Sequence, residues 1–155
     1  MDERMIGLPA PDFSLSAADG SIISLSQFKG KKAVLYFYPK DNTPACSAQA
    51  KAFSDAFKEL SELGTIILGI SRDSISSHAK FIAKLDLPFL LLSDPGEVVC
   101  QLYDVIKEKN MYGKKIRGIE RSTFIIDEHG ILIHEFRKVK VATHISEVLT
   151  VLKNL

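Results

Sequence analysis

The sequence has few of the residues that are typical of a metal site or a disulfide framework. Among its 155 residues there are two cysteines, four histidines and no tryptophan. Cys46 and Cys100 are far apart along the chain, so neither a paired-cysteine metal motif nor a disulfide framework is predicted. Two free thiols suit a reducing compartment, and we therefore expect the protein in the cytoplasm.

An excess of charge of one sign is also missing. Twenty basic and nineteen acidic residues give a formal net charge of +1, which argues against nucleic acid or an anionic membrane as a partner. The basic cluster KEKNMYGKKIR, residues 107–117, is interrupted by glycine. We interpret this cluster as a solvated loop rather than a binding patch.

Long apolar runs are absent as well. No segment is long enough to form a membrane-spanning helix, and MDERMIGLPAPDF at the start has neither the charged nor the apolar region of a secretion signal. With 46% hydrophobic and 25% charged residues, the composition is that of an ordinary soluble chain. We therefore expect one domain over residues 1–155 and no contact with a membrane.

What the sequence does contain is an alternation of strand and helix patterns. Near the N-terminus, Phe13 and Leu15 alternate with polar residues before an Asp19-Gly20 turn, which predicts a small hairpin. Further along, apolar runs predict strands at residues 33–38, 65–71, 88–94, 122–127 and 131–136, and helical periodicity predicts helices at about 44–63, 74–85, 97–103 and 143–154. This order predicts a mixed α/β fold with a central sheet flanked by helices.

Two of these helices allow more detailed predictions. In the first, Gly64 is placed to end the helix in the left-handed conformation. In the second, the apolar residues predict a buried side made of Ile75, Ala79, Ile82 and Ala83.

The segment YPKDNTPACS, residues 38–47, places Cys46 at the start of the first long helix. Thr43 is positioned as the N-cap residue of this helix, and Pro44 suits the first helical position because the N–H that it lacks has no partner there. Cys46 then occupies the third helical position, among backbone N–H groups without intrahelical acceptors. The positive end of a helix dipole stabilises a thiolate at such a place.

The apolar face of this helix predicts the direction of the thiol. It consists of Cys46, Ala50, Phe53, Phe57 and Leu60. The thiol would therefore point inward but lie in the end turn, at the mouth of a pocket. A cysteine on an apolar face is more often buried and inert than reactive. Here the strand, loop and Thr-Pro-x-Cys context favours a reactive thiol.

YPKDNTPACS resembles the active-site segment of the peroxiredoxins, specifically of the bacterioferritin comigratory protein group, also called PrxQ. The resemblance extends over nearly the whole chain, through GLPAPDFSL, LGISRDS, LPFLLLSDP and RSTFIID in that order. It implies a thioredoxin-like fold and a thiol-dependent peroxidase. The expected substrates are hydrogen peroxide and organic hydroperoxides, and no metal or haem cofactor is expected.

The resemblance also implies roles for four residues. Cys46 would attack the terminal peroxide oxygen and become a sulfenic acid. Thr43 would place its hydroxyl near the thiolate and peroxide, Pro39 would shield the thiolate from bulk water, and Arg121 would hold both thiolate and peroxide. Such donors are needed because a more acidic thiol is a weaker nucleophile, so a lower pKa alone gives only a gain of a few-fold.

Three positions around the cysteine depart from the pattern of the group. Ala45, Ser47 and Gln49 stand where the group commonly has glycine, threonine and glutamate. The first two changes are mild. Gln49 removes a carboxylate that would help to orient an arginine, so we expect altered electrostatics at the site.

The chain also lacks a resolving cysteine at the positions where the group carries one. Lys51 and Ile82 occupy those two positions. Cys100 lies on a short amphipathic helix, where we interpret it as a small apolar packing residue. We therefore predict a one-cysteine cycle in which thioredoxin, glutaredoxin or glutathione reduces the sulfenic acid.

Two other functions were weighed against the peroxidase. A Cys–His hydrolase needs a histidine oriented by a third group, and the four histidines fit no such pattern; we interpret each as a surface or structural residue. A thioredoxin-like redox sensor or binding module that oxidises without efficient turnover remains an alternative, because Gln49 departs from the group and the resolving cysteine is missing. For the oligomeric state we expect a monomer or a weak dimer.

Overall fold

The structure is a computed structural model and describes residues 5–155, so the first four residues of the predicted domain lie outside it. Its strands are β1 (Ser14–Ala17), β2 (Ile22–Ser24), β3 (Lys32–Phe37), β4 (Thr65–Ser71), β5 (Leu90–Ser93), β6 (Ile106–Met111), β7 (Lys114–Ile119), β8 (Ser122–Ile126) and β9 (Leu132–Phe136). Its helices are α1 (Pro44–Asp55), α2 (Phe57–Glu62), α3 (Ile75–Leu85), α4 (Val98–Leu102) and α5 (Val141–Lys153), and a 3-10 turn, Leu25–Phe28, follows β2.

Seven strands form one mixed sheet in the order β2-β1-β5-β4-β3-β8-β9. The middle strands β3, β4 and β5 are parallel, whereas β8 pairs antiparallel with β3 and β1 pairs antiparallel with β5. β1 and β2 form the predicted N-terminal hairpin. The predicted mixed α/β class with a central sheet is confirmed.

The two faces of the sheet carry separate hydrophobic cores. Along β3, Val34 and Tyr36 belong to one core, and Leu35 and Phe37 belong to the other, as the two-residue period of a strand requires. We call the first the helix-side core, because α1, α2, α3 and α5 all contribute buried side chains to it, and the second the opposite core. The helices that join β3 to β4 and β4 to β5 lie on the same face of the sheet. This is expected because both crossovers have the same handedness and both lead to the next strand in the same direction across the sheet.

One glycine in the middle of the sheet permits close packing. A Cβ on Gly69 would lie 2.7 Å from Cδ2 of Leu91 and 2.9 Å from the ring of Tyr36. The Tyr36 ring lies against the strand at this point and stacks on Phe53 of α1 at 4.6 Å. Gly69 therefore helps to fix the distance between α1 and the sheet.

The first long helix differs from the prediction because it consists of two helices. The interruption is a single residue, Ala56, with a ψ of 2°. The N–H of Ala56 still bonds to the carbonyl of Ala52 at 3.1 Å, and the axis continues into α2. Since no glycine or proline marks this position, the periodicity alone could not indicate it. Gly64 follows α2 with a φ of +66°, as predicted.

The predicted buried side of α3 is wrong. Ile75, Ala79 and Ala83 are exposed, and the buried residues are His78 and Phe81. The reason is that the His78 imidazole has buried polar partners, so a polar side chain occupies an inward position that a hydrophobicity pattern assigns to solvent.

The basic segment at 107–117 is not a loop, which corrects another prediction. β6 and β7 form an antiparallel ribbon whose turn, Tyr112-Gly113, has positive φ at both residues. That geometry matches a two-residue hairpin turn. Most side chains on both faces of the ribbon are exposed, so no alternation of apolar and polar residues indicated strands. The predicted solvation of the segment is confirmed.

Among residues 5–155, no helix has both the length and the apolar character needed to cross a membrane.

Candidate active site

The loop between β3 and α1 places Cys46 at the carboxyl edge of the parallel strands. Cys46 is the third residue of α1, as predicted, and Pro44 is the first. Thr43 has extended backbone angles and is the N-cap residue, but its side chain does not cap the helix. The Thr43 hydroxyl instead donates to the carbonyl of Lys40 at 3.0 Å. The predicted N-cap position of Thr43 is therefore confirmed, and its hydroxyl closes the preceding turn.

The Cys46 side chain is enclosed rather than open to solvent. The residue is 3% exposed and belongs to the helix-side core together with Tyr36, Ala50 and Phe53. The prediction that the thiol faces inward is confirmed. Its predicted place at the mouth of a pocket is wrong, because the residue is buried within the helix-side core.

Arg121 brings a positive charge to the sulfur. β8 is antiparallel to β3, and Ser122 pairs with Phe37, so Arg121 stands at the sheet edge where β3 ends. Its Nη2 donates to Sγ of Cys46 at 3.3 Å. Two residues that are distant in sequence therefore meet in one contact between a guanidinium and a sulfur.

The other arm of the same guanidinium binds Gln49. Nη1 of Arg121 donates to Oε1 of Gln49 at 2.6 Å, and Gln49 is 2% exposed. Because the arginine can only donate, the amide oxygen must face it, and the amide Nε2 is then buried without a partner. The hydroxyl of Tyr36 is likewise buried without a partner. Burial and, next, the nearby charge of Cys46 raise the pKa of Tyr36, so it remains a neutral donor.

The other two predicted site residues lie in the same loop but have no hydrogen bond to Cys46 among the described residues. Pro39 is exposed and directly follows Tyr38, which is buried. Thr43 is half-buried and three residues before the cysteine. The structure thus joins Cys46 to Arg121 directly and to Gln49 through Arg121, and Pro39 and Thr43 lie in the loop before the helix.

Cys100 lies in the opposite core. It is 0% exposed, and the sheet separates it from Cys46 in the helix-side core. Burial, followed by the neighbouring Asp94 carboxylate, raises the pKa of the Cys100 thiol. The expected packing role agrees with this position, since a buried neutral thiol is a poor nucleophile.

A buried polar cluster under the loop was not found from the sequence. Asp41 accepts hydrogen bonds from Tyr38 at 2.6 Å, from Ser77 at 2.8 Å and from Nδ1 of His78 at 2.7 Å. A usable signal existed, because His78, Phe81 and residues 82 and 85 have the spacing of one helix face. We call Tyr38, Asp41, Ser77 and His78 the Asp41 network.

Asp41, His78 and the neighbouring Asp73 place one potential metal ligand each within 4.8 Å of one another. The acceptor atoms are already used: Asp73 Oδ2 accepts from the N–H of Asp41 at 2.8 Å and from Ser71 at 2.6 Å, and the second His78 nitrogen, Nε2, bonds to the carbonyl of Leu92 at 2.9 Å. A metal ion would have to displace these donors. The cluster therefore fits a hydrogen-bonded network better than a metal site.

The histidines do not supply a base for Cys46. Within residues 5–155, none of them has a hydrogen bond to its sulfur. His144 bonds to the hydroxyl of Thr123 at 2.7 Å, and burial lowers the pKa of this histidine to about 4. Among the described residues, a Cys–His hydrolase thus lacks its required pair, whereas an arginine contacts the Cys46 sulfur.

Comparison with known proteins agrees with this arrangement. The sequence profile of the AhpC/TSA family matches residues 6–135. Peroxiredoxin Bcp of Bacillus subtilis is 49% identical over 150 residues, covering 97% of this chain and 96% of the relative. Peroxiredoxin Bcp of Escherichia coli is 41% identical over 153 residues, covering 99% and 98%.

Solved structures give the same result for the fold. The bacterioferritin comigratory protein of Xanthomonas campestris, described for its alkyl peroxide reduction activity, superposes with a TM-score of 0.88 at 46% identity, covering 92% of this chain and 90% of that chain. Peroxidoxin BcpB from Mycobacterium tuberculosis has a TM-score of 0.86 at 29% identity, with 97% of each chain covered. These matches confirm the predicted thioredoxin-like fold. The chain therefore belongs to the AhpC/TSA family, and within it to the bacterioferritin comigratory protein (PrxQ) group of peroxiredoxins, the thiol-dependent peroxidases.

Proposed function

We propose that Cys46 is the peroxidatic cysteine of a one-cysteine cycle that reduces hydrogen peroxide and organic hydroperoxides. The Cys46 thiolate attacks the terminal oxygen of ROOH, the O–O bond breaks, and the sulfur becomes a sulfenic acid. The leaving RO⁻ takes up a proton from water and departs as ROH. An external thiol then attacks that sulfur and releases water, which gives a mixed disulfide. A second thiol reduces the mixed disulfide and restores Cys46.

The observation that carries this proposal is the contact of Arg121 with the Cys46 sulfur at 3.3 Å. One guanidinium next to the thiolate can also donate to the peroxide oxygen on which charge develops as the O–O bond breaks. Stabilisation of charge that grows in the transition state accelerates the reaction, whereas a more acidic thiol alone does little. The buried donors of Gln49 and Tyr36 are available to the same charge.

Thr43 and Pro39 have supporting roles in the proposal. The Thr43 hydroxyl donates to the Lys40 carbonyl. The lone pairs of its oxygen therefore remain free to accept a hydrogen bond from the O–H group of the peroxide. Pro39 has no N–H, and its ring covers the loop without adding a donor that would bind water.

The placement of Cys100 supports resolution by an external thiol. A disulfide requires the two Cα atoms to come within about 7 Å. Cys46 and Cys100 are in cores on opposite faces of the seven-stranded sheet, so pairing them would require the fold to open. The proposed reductants are thioredoxin, glutaredoxin or glutathione. Two unpaired cysteines suit the reducing cytoplasm as the proposed location.

The proposal is tested with one equivalent of hydrogen peroxide added to reduced protein, followed by intact and peptide masses. We expect one oxygen on Cys46, removed by a small thiol, and the same result for the control variant Cys100→Ala. Turnover with each candidate reductant then identifies the physiological type. A Cys46–Cys100 disulfide would contradict the one-cysteine cycle, and a single oxidation without turnover by any reductant would favour the redox sensor.

A further inference from the structure

The Asp41 network connects the active-site loop to two other elements. Asp41 lies in the loop, Ser77 and His78 lie on α3, and the Nε2 atom of His78 bonds to the carbonyl of Leu92 on β5 at 2.9 Å. Asp41 and His78 have side-chain exposures of 3% and 0%. The loop that leads to Cys46 is therefore attached to the core by a polar group without access to water.

The hydrogen-bond partners fix the orientation of the pair. A carbonyl oxygen can only accept, so Nε2 of His78 must donate to Leu92. The two Asp41 oxygens accept from Tyr38 and Ser77. Burial, which opposes ionisation, is outweighed by the hydrogen bonds from His78, Tyr38 and Ser77, so that the pKa of Asp41 is lowered. Oδ2 of Asp41 lies 2.7 Å from Nδ1 of His78, so the two side chains form a buried hydrogen-bonded pair.

Access to the thiol requires this loop to move. Cys46 is 3% exposed, and the first turn of α1 begins three residues after Asp41. A thiol carried by glutathione or by a protein cannot reach the sulfur unless that turn separates from the core. Since Asp41 lies at the entrance of the turn, the opening pulls on a buried pair whose separation leaves a charge without its partner.

We propose that the buried hydrogen-bonded pair of Asp41 and His78 positions the loop for the peroxidase reaction, favouring the closed form that reacts with peroxide and limiting the open form that reacts with the external thiol. This inference rests on the proposed one-cysteine cycle. Asp41 and His78 are positioning residues, because they act through the loop and have no contact with the sulfur. A substitution that weakens the pair should therefore slow the reaction with peroxide and accelerate the reaction with the external thiol.

The test uses Asp41→Asn, which keeps the shape and removes the charge, and Ser77→Ala, which removes one donor to Asp41. For each variant, kcat/KM is measured for hydrogen peroxide and for glutathione or thioredoxin, and hydrogen exchange is followed at the Ser47 amide, which bonds to the Thr43 carbonyl. The matched control is Val105→Ala, a truncation in the opposite core. It lowers global stability without contact with the loop.

For Asp41→Asn we expect the ratio of the thiol kcat/KM to the peroxide kcat/KM to rise about tenfold or more, and exchange at Ser47 to accelerate by a similar factor. Ser77→Ala should raise the kcat/KM ratio and the Ser47 exchange rate by smaller factors. If Asp41→Asn does not fold, the Ser77→Ala result tests the positioning role. Val105→Ala should leave the ratio unchanged. An unchanged ratio with unchanged Ser47 exchange would overturn the inference.

The outcomes also separate this inference from the proposed function. If the wild type does not turn over with any thiol, the one-cysteine cycle is refuted. The positioning role is then tested by the Ser47 exchange rates alone. If the wild type turns over but exchange accelerates equally at Ser47 and throughout β3 and β4 in Asp41→Asn, the pair acts on global stability only, and the positioning role is rejected.

Discussion

Gln49→Glu restores a carboxylate beside the active-site arginine, and its effect can be worked out from two distances. Arg121 bonds to Oε1 of Gln49 at 2.6 Å and to Sγ of Cys46 at 3.3 Å through two nitrogens of one guanidinium. A carboxylate in place of the amide would stand on the order of 6 Å from the sulfur. At an effective dielectric of about 20, two like charges at that distance repel by about 3 kcal/mol.

The arginine offsets part of this repulsion, because its fork would bind the new carboxylate more firmly than it binds the amide. We therefore expect a net penalty of about 1.4 kcal/mol on the thiolate, which corresponds to about tenfold in its population below the titration range of the thiol. The assay is the rate of alkylation by iodoacetamide at pH 6, compared with the rate at pH 9, in the variant and in the wild type.

The control is Gln49→Leu, which removes the bond to Arg121 without adding a charge. If Gln49→Glu slows alkylation at pH 6 and Gln49→Leu does so equally, the effect comes from a displaced arginine. Unchanged or faster alkylation of Gln49→Glu would refute the electrostatic reasoning outright. A selective loss in Gln49→Glu would mean that the amide at this position increases the thiolate population in this protein.

Three further predictions follow from other contacts. Arg121→Lys keeps a charge but loses the two-armed contact, so the rate of peroxide reduction should fall about 100-fold, measured by peroxide consumption; a loss below threefold would contradict the role of Arg121. Gly69→Ala puts a Cβ 2.7 Å from Leu91, and the free energy of unfolding in urea should fall by about 1–3 kcal/mol; unchanged stability would mean that the sheet relaxes. Burial lowers the pKa of His144 from 6.5 to about 4, so protons bind first to the unfolded chain as the pH falls. The free energy of unfolding should therefore fall by about 2–3 kcal/mol between pH 7 and 4.5. His144→Asn should remove this contribution to the pH dependence of stability.

Most strands of the central sheet and most helices could be predicted because their apolar residues follow regular periods, whereas the exposed ribbon of β6 and β7 could not. β4 at Thr65–Ser71 was predicted with its observed bounds, and Cys46 was predicted at the third position of α1. Both follow from local chemistry: a continuous apolar run in the first case, and a proline that fixes the start of a helix in the second.

The features that could not be predicted depend on partners distant in the sequence. The inward side of α3 is decided by His78, which is buried because Asp41 and Leu92 come to it in space. The spacing of His78 and Phe81 allows this face of the helix, but the sequence alone does not show that the imidazole has buried partners.

The buried cysteines also allow two kinds of opening to be measured in one experiment. Cys46 and Cys100 have similar exposure, 3% and 0%, but separation of one helical turn frees the first, whereas only loss of the opposite core frees the second. In a pulse of a thiol-reactive label, modification of Cys46 would report the free energy of local opening, and modification of Cys100 would report that of global unfolding. The molecule thus carries an internal reference for every variant that loosens its active-site loop.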